Sequence, residues 1–428
     1  MIKSVKPVSS LKGELTLPPD KSISQRSAIF SLLHEGVSEV QNYSPAQDPQ
    51  STLRCVQQLG ATVSKEDDRL IIKGLGRKNI KKPESDLDCE NSGTAMRLLS
   101  GVVAGAGISA KLVGDASLSE RTMTRIINPL EEMGAHILAR NGAYAPLFVN
   151  RHEPLKPLKF ELPIPSAQLK SCVLLAGLFG EEVTQVIETL PSRDHTERLL
   201  NLDQKVVHER KIISASLADE IPAQTYTIPG DFSAAAFWLV AGIIQNNAEL
   251  VIKNVGLNPT RNALIEILKE MNAQIHIENE RMEGAEPAGD LIVKGSDLKA
   301  INLDPKLIPN CIDELPVLAV AMLFAEGTSE ISGAEELRHK ETDRIMAISE
   351  MLSAVQAKFD EKEDGIIIHG DPDFTFESAE FESFHDHRIA MASAVLALKG
   401  NKESTINDAE SASVSYPAFW DDIKRISI

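Results

Sequence analysis

At 428 residues the chain is too long for one ordinary hydrophobic core and calls for two domains. A hydrophobic content of 43% beside 25% charged residues excludes a disordered chain, and a formal net charge of −18 excludes non-specific nucleic-acid and acidic-membrane binding. Any anionic ligand must therefore be met by a local set of cations. No apolar run approaches the length of a membrane span. The opening "MIKSVKPVSS" lacks the apolar core of a secretory signal. The four cysteines, Cys55, Cys89, Cys172 and Cys311, are widely spaced and read as free thiols in a reducing, cytoplasmic compartment.

In chain order, six segments share one form: a short strand, a polar turn, then a helix of small or apolar residues. They are "GELTLPPDKSISQRSAIF", "DLDCENSGTAMRLL", "FELPIPSAQLKSCVLL", "TYTIPGDFSAAAFWLV", "INLDPKLIPNCIDELPVLAVAM" and "FESFHDHRIAMASAVL". Their turns lie near Asp20, Asn91, Ser166, Asp231, Asp313 and Asp386, about 65 to 82 residues apart. Between them comes a Gly-marked strand, then an amphipathic helix ending in Gly or Asn ("LRCVQQLGA", "NPLEEMGA", "ALIEILKEMNA"), then a pair of strands. Each unit therefore reads βαβαββ, and six copies are too few and too long for a solenoid.

The first junction strand, "GELTLPP", has no unit before it, and the last unit stops at "WDDIKRISI" without a closing strand. A circular arrangement resolves both: the N-terminal strand completes the sixth unit. The chain then forms a domain of three units over 20–229 and a second over 1–19 plus 230–428, with hinges near 19–20 and 229–230 and the active site expected in the cleft between them.

Ligands of α/β sheets bind beyond the strand carboxyl ends, where helix N-termini offer free N–H groups and partial positive charge. Lys21, Ser22 and Arg26 stand at the first junction, Asn91 and Arg97 at the second, Ser166 and Gln168 at the third, Asp313 at the fifth, and His387 and Arg388 at the sixth. Taken singly, Ser22, Asn91 and Ser166 read equally as helix caps, and Arg97 and Arg388 as surface arginines. Their recurrence at five of six equivalent turns points to one anion site. The run "LRHKETDR", Leu337 to Arg344, taken alone reads as a solvated helix end; if helical, it sets Lys340 and Arg344 on one face as a like-charge pair.

In order along residues 10–420, "PPDKSISQR", "ENSGTAMR", "GDASLSERTM", "IPSAQLKS", "SRDHTERLL", "IPGDFSAAAF", "IDELPVLAVA", "RHKETDR" and "HDHRIAM" together resemble the 5-enolpyruvylshikimate-3-phosphate synthase family. Several of these forms are similar to the branch that includes glyphosate-tolerant members. The resemblance implies an α/β, two-domain, inverted α/β barrel-like fold of six βαβαββ units. It implies transfer of the enolpyruvyl group of phosphoenolpyruvate to the 5-hydroxyl of shikimate 3-phosphate, with release of phosphate by addition and elimination. No metal and no organic cofactor is implied. The expected partners are the two small-molecule substrates, with no nucleic acid or membrane, acting on a cytoplasmic monomer.

By the same resemblance, Lys21, Glu341 and Asp313 are the catalytic candidates, Asp313 as proton acceptor from the 5-hydroxyl. Shikimate 3-phosphate falls to Lys21, Ser22, Arg26, Ser166, Ala167, Gln168, Arg193, Asp313 and Lys340. Phosphoenolpyruvate falls to Lys21, Gly93, Arg121, Gln168, Arg344 and Arg388. Asn91, Arg97, Asp48 and His387 support them. Lys340 and Arg344 then tolerate one another because anions fill the space between. Three positions depart from the family pattern. Val414 in "VSYP" replaces a phosphoenolpyruvate-side Lys, Glu336 replaces an Asn, and Pro19–Asp20 replace Gly-Ser before Lys21. The sister enzyme that uses UDP-N-acetylglucosamine carries a catalytic Cys in the loop matching Gly114–Met123, and this loop has none. A non-catalytic derivative of the fold would be expected to lack Asp313, Glu341 or Lys21, and all three are present.

Overall fold

The computed structural model describes all 428 residues, Met1–Ile428. They divide into two compact units, one of Met1–Pro18, Pro229–Met282 and Pro287–Ile428, the other of Pro19–Ile228 with Glu283–Glu286. Each unit closes its own hydrophobic core.

The Pro19–Ile228 unit holds three four-stranded sheets. In the second, Leu87–Asp88 runs parallel to Ala110–Val113, which pairs antiparallel with Tyr144–Asn150, and His136–Arg140 closes the edge. The third repeats this with Lys159–Glu161, Thr184–Glu188, Arg210–Ala215 and Gln204–Val207. The first uses Glu35–Gln41, Arg69–Leu75 and Thr62–Glu66, but its parallel edge is Thr225–Thr227 from the end of the unit. The other unit mirrors this exchange. The fourth sheet along the chain, the first of this unit, takes Lys12–Thr16 as the parallel partner of Glu249–Gly256.

This corrects one expectation of the circular reading. The "GELT" strand belongs to the fourth sheet, and Lys3–Val5, pairing antiparallel with Ser404–Ile406, is the strand that completes the sixth. In the fifth sheet the junction strand is reduced to isolated parallel bridges, Lys299 with Glu326 and Asn302 with Glu330.

The six junction helices are Lys21–Leu33, Gly93–Gly105, Ala167–Gly177, Phe232–Ile244, Leu315–Leu323 and His387–Ala397. Small residues around their whole circumference let them lie in the cores: every residue of Phe232–Ile244 and of Leu315–Leu323 is buried. The other helices of each repeat are amphipathic and end where expected, with Gly60, Gly134 and Asn272 all at positive φ.

The caps are not all those read from the sequence. Asp20, not Ser22, caps the first junction helix by accepting from Ile23 N at 2.8 Å. Ser92, not Asn91, caps the second, while Ser166 does cap the third. In each corrected case a neighbouring oxygen already takes the N–H, which leaves the candidate residue for other work.

Candidate active site

In the Pro19–Ile228 unit, the first junction helix directs Lys21 to Asp48, Nζ to Oδ2 2.9 Å. One turn on, Gln25 reaches Thr52 Oγ1 at 2.9 Å and Ser92 Oγ at 2.7 Å, tying the first and second junctions together. Arg26 is almost completely buried. Its Nε donates to Thr196 Oγ1 at 2.9 Å and its Nη2 to Ser171 Oγ at 3.2 Å. Burial pushes its pKa down to about 10 against the pull of Glu197 and Asp20, so the guanidinium remains charged at neutral pH. Ser22 contributes its carbonyl to Arg26 Nη1 at 3.1 Å.

At the second junction Asn91 links Asp115 (Nδ2 to Oδ2 2.8 Å) and Arg121, whose Nη2 donates to Asn91 Oδ1 at 2.8 Å. Arg97 is no loose surface arginine: its Nη1 donates to Gln168 Oε1 at 2.6 Å, and Gln168 Nε2 to Thr94 Oγ1 at 2.9 Å. Gly93 opens this helix beside both arginines. A Cβ there would lie 2.5 Å from Arg97 Nη1 and 3.7 Å from Arg121 Nη1. Ser166 and Ala167 begin the third junction helix, and Arg193 is half-buried just before the His195–Leu199 helix.

In the other unit Asp313 is ringed by arginines. Arg344 Nη1 is 3.2 Å from its Oδ1, Arg388 Nη2 is 3.5 Å from its Oδ2, and Arg388 Nη1 donates to its carbonyl at 3.0 Å. Arg344 also binds Glu341 (Nη2 to Oε2 2.7 Å) and Asp386 (Nε to Oδ2 2.8 Å). Burial opposes its charge, but Asp386, Glu341 and Asp313 outweigh that and push its pKa up. Arg388 too is buried, contrary to its surface reading, and His387 is buried at the same helix start.

"LRHKETDR" is not one helix. A 3-10 turn over Glu335–His339 ends at Lys340 in extended backbone, and a new helix starts at Arg344 with Asp343 as its cap. Lys340 and Arg344 are thus not stacked i,i+4; the chain breaks because Asp343 takes the N–H of Met346. Lys340 is half-buried. Desolvation pushes its pKa down, Asp313 pulls it up, and Arg344 pushes it down again. Val414 is half-buried in the Ala409–Val414 turn.

Several polar residues of these clusters were not singled out in the sequence. Arg261, 3% exposed, donates to Ser233 Oγ at 2.6 Å and lies 3.9 Å from Asp313 Oδ2 and 3.6 Å from Glu314 Oε1. Buried Glu314 accepts from Ser233 and is 3.7 Å from Arg388 Nη1. The fourth junction therefore carries polar groups like the other five. "NPTR" offered no signal for Arg261, whereas Glu314, adjacent to Asp313 in an otherwise apolar helix start, did. No cluster of His, Cys, Asp and Glu suited to a metal ion is present, and no helix is long and apolar enough to cross a membrane.

The EPSP synthase (3-phosphoshikimate 1-carboxyvinyltransferase) family model matches residues 5–423. The chain is 49% identical over 433 residues to the 3-phosphoshikimate 1-carboxyvinyltransferase of Salinibacter ruber, covering 100% of each. It is 45% identical over 413 residues to that of Syntrophomonas wolfei, covering 96% of each. Among solved structures, the EPSP synthase of Acinetobacter baumannii superposes with a TM-score of 0.88 at 38% identity, covering 100% of this chain and 98% of that one. The enolpyruvyl transferase NikO of Streptomyces tendae shares the fold at a TM-score of 0.76 and 14% identity, covering 99% and 97%. With these likenesses spanning essentially its whole length, the chain belongs to the EPSP synthase family, the transferases of the shikimate pathway that move the enolpyruvyl group of phosphoenolpyruvate onto shikimate 3-phosphate.

Proposed function

We propose that the basic and acidic side chains of these clusters serve the transfer of the enolpyruvyl group from phosphoenolpyruvate to the 5-hydroxyl of shikimate 3-phosphate. The observation that carries this is Asp313, a carboxylate held by Arg344 and Arg388, with Arg344 also holding Glu341. Both substrates bring a phosphate and a carboxylate, and guanidinium groups pair with such anions through two hydrogen bonds. Arg344 pairs with Asp313, Glu341 and Asp386, and Arg388 with Asp313. Arg121, Arg344 and Arg388 supply the cations for the phosphate and carboxylate of phosphoenolpyruvate, and Asp313 accepts the 5-hydroxyl proton.

Lys21 contacts both substrates, with Gln168 between them and Gly93 leaving room for phosphoenolpyruvate. Ser22, Arg26, Ser166, Ala167, Arg193 and Lys340 hold shikimate 3-phosphate. Protonation of the phosphoenolpyruvate methylene makes C2 electrophilic. The 5-oxygen adds there, and loss of a proton from the methyl group with departure of phosphate restores the double bond. Glu341 and Lys21 are the groups placed to move the methylene proton. Asp48 and Asn91 orient Lys21 and Arg121, and Arg97 orients Gln168. We further propose a monomer, supported by two separately closed cores, and a cytoplasmic location, supported by four buried cysteines.

The test is phosphate release with both substrates against either alone. Release only when both are present is expected. Release from phosphoenolpyruvate alone would overturn the addition–elimination reading.

A further inference from the structure

Lys170 is fully buried, three residues beyond Ala167 in the third junction helix. Its Nζ lies 2.7 Å from Glu197 Oε1 and 3.1 Å from Glu188 Oε2, and donates to the Ser192 carbonyl at 3.2 Å. Ser192 in turn donates to Glu188 Oε2 twice, from Oγ at 2.8 Å and from N at 3.3 Å. Lys211, paired opposite Glu188 in the sheet, is 3.3 Å from Glu197 Oε1 and 3.8 Å from Glu188 Oε1. Two lysines thus face two glutamates, so the cluster is neutral as a whole.

We propose that Lys170 and Glu188 are positioning residues for Arg193, and through it for the phosphate of shikimate 3-phosphate. The inference rests on the reading of Arg193 as a phosphate contact. Every polar atom of Ser192 is engaged by the cluster, which fixes the peptide unit that leads into Arg193. Three residues beyond Arg193, Thr196 Oγ1 is within 2.7 Å of Ser171 Oγ and accepts from Arg26 Nε at 2.9 Å. The segment Ser192–Thr196 is therefore pinned on both sides of Arg193 by consecutive residues of one helix, Lys170 and Ser171. That helix also begins with Ser166, Ala167 and Gln168. Buried ion pairs often add little net stability, because desolvation offsets their attraction. What this one supplies is a fixed backbone for a binding side chain.

The experiment compares Arg193→Ala, Lys170→Met/Glu188→Leu, which leaves Lys211 and Glu197 paired, and the combination of all three. Arg193→Ala should raise the KM for shikimate 3-phosphate about tenfold or more, with a small change for phosphoenolpyruvate. The double variant should raise the same KM by a similar factor with kcat little changed. The triple variant should be no worse than Arg193→Ala, since a residue acting through Arg193 has nothing to hold once it is gone. Ser192→Ala, which removes one hydroxyl and leaves the cluster charges in place, should raise that KM about threefold and decides the matter if the double variant does not fold. No effect of Arg193→Ala would overturn its reading as a phosphate contact. An effect of Arg193→Ala together with wild-type KM values in the network variants, or with additive losses, would overturn the positioning role.

Discussion

Arg344 Nη1 stands 3.2 Å from Asp313 Oδ1, so the proposed base and a proposed phosphoenolpyruvate contact are paired with one another. A guanidinium has several N–H donors and holds more than one carboxylate at once, as Arg344 does with Asp313, Glu341 and Asp386. The two roles are thereby linked: a shift of Arg344 also disturbs the position of Asp313.

Replacing Asp313 by Asn removes the proton acceptor while keeping the shape of the side chain. Turnover should fall by about 10² to 10⁴. Binding of shikimate 3-phosphate, measured by calorimetry, should be retained, because the surrounding arginines lose an internal competitor. Near wild-type phosphate release would remove Asp313 from the mechanism.

Gly93→Ala places a methyl group 2.5 Å from the present position of Arg97 Nη1, and in ordinary contact with Arg121 Nη1 at 3.7 Å. The far end of Arg97 is able to shift, so the protein should fold and turn over. Glyphosate, longer than phosphoenolpyruvate, should lose more than the substrate does. The ratio of its inhibition constant to the phosphoenolpyruvate KM should rise about tenfold or more, the scale of one methyl clash in a tight site. An unchanged ratio would show that Gly93 does not face the inhibitor. Since the wild type keeps Gly93, its own sensitivity should be ordinary or moderately reduced, Val414 weakening inhibitor and substrate together.

The Lys340 ammonium is the form that binds an anion, and its pKa is lowered, first by desolvation. The kcat/KM for shikimate 3-phosphate should therefore decline as pH rises, on a limb that begins below the ordinary lysine value of about 10.4. Lys340→Arg should carry that limb to higher pH. A pH profile identical in the two proteins would exclude Lys340 from phosphate binding.

Arg344 is 1% exposed and its partner Asp386 is fully buried. Arg344→Met leaves that carboxylate without its cation and should cost about 3 to 5 kcal/mol in denaturant unfolding. Adding Asp386→Asn should recover part of the loss, as Asn still accepts from Arg388 N at the helix start. Equal stability of the single and double variants would show that the pair is not the source of the cost.

By itself the sequence determined the repeating junctions, because strand, cap and small-residue helix are local patterns written in consecutive residues. It also determined which side chains stand at them: Lys21, Asn91, Ser166, Asp313 and Arg388 all lie at or beside the expected helix starts. Only the tertiary structure decided which strand joins which sheet. Lys3–Val5 and Lys12–Thr16 are both short and largely polar, and pairing across hundreds of residues leaves no local trace. Asp343 broke "LRHKETDR" into two elements because its side chain outcompeted helical continuity for one N–H. Arg261 and Lys170 became visible only on folding: a buried charge is recognised by its partners, and those partners lie in other elements of the fold.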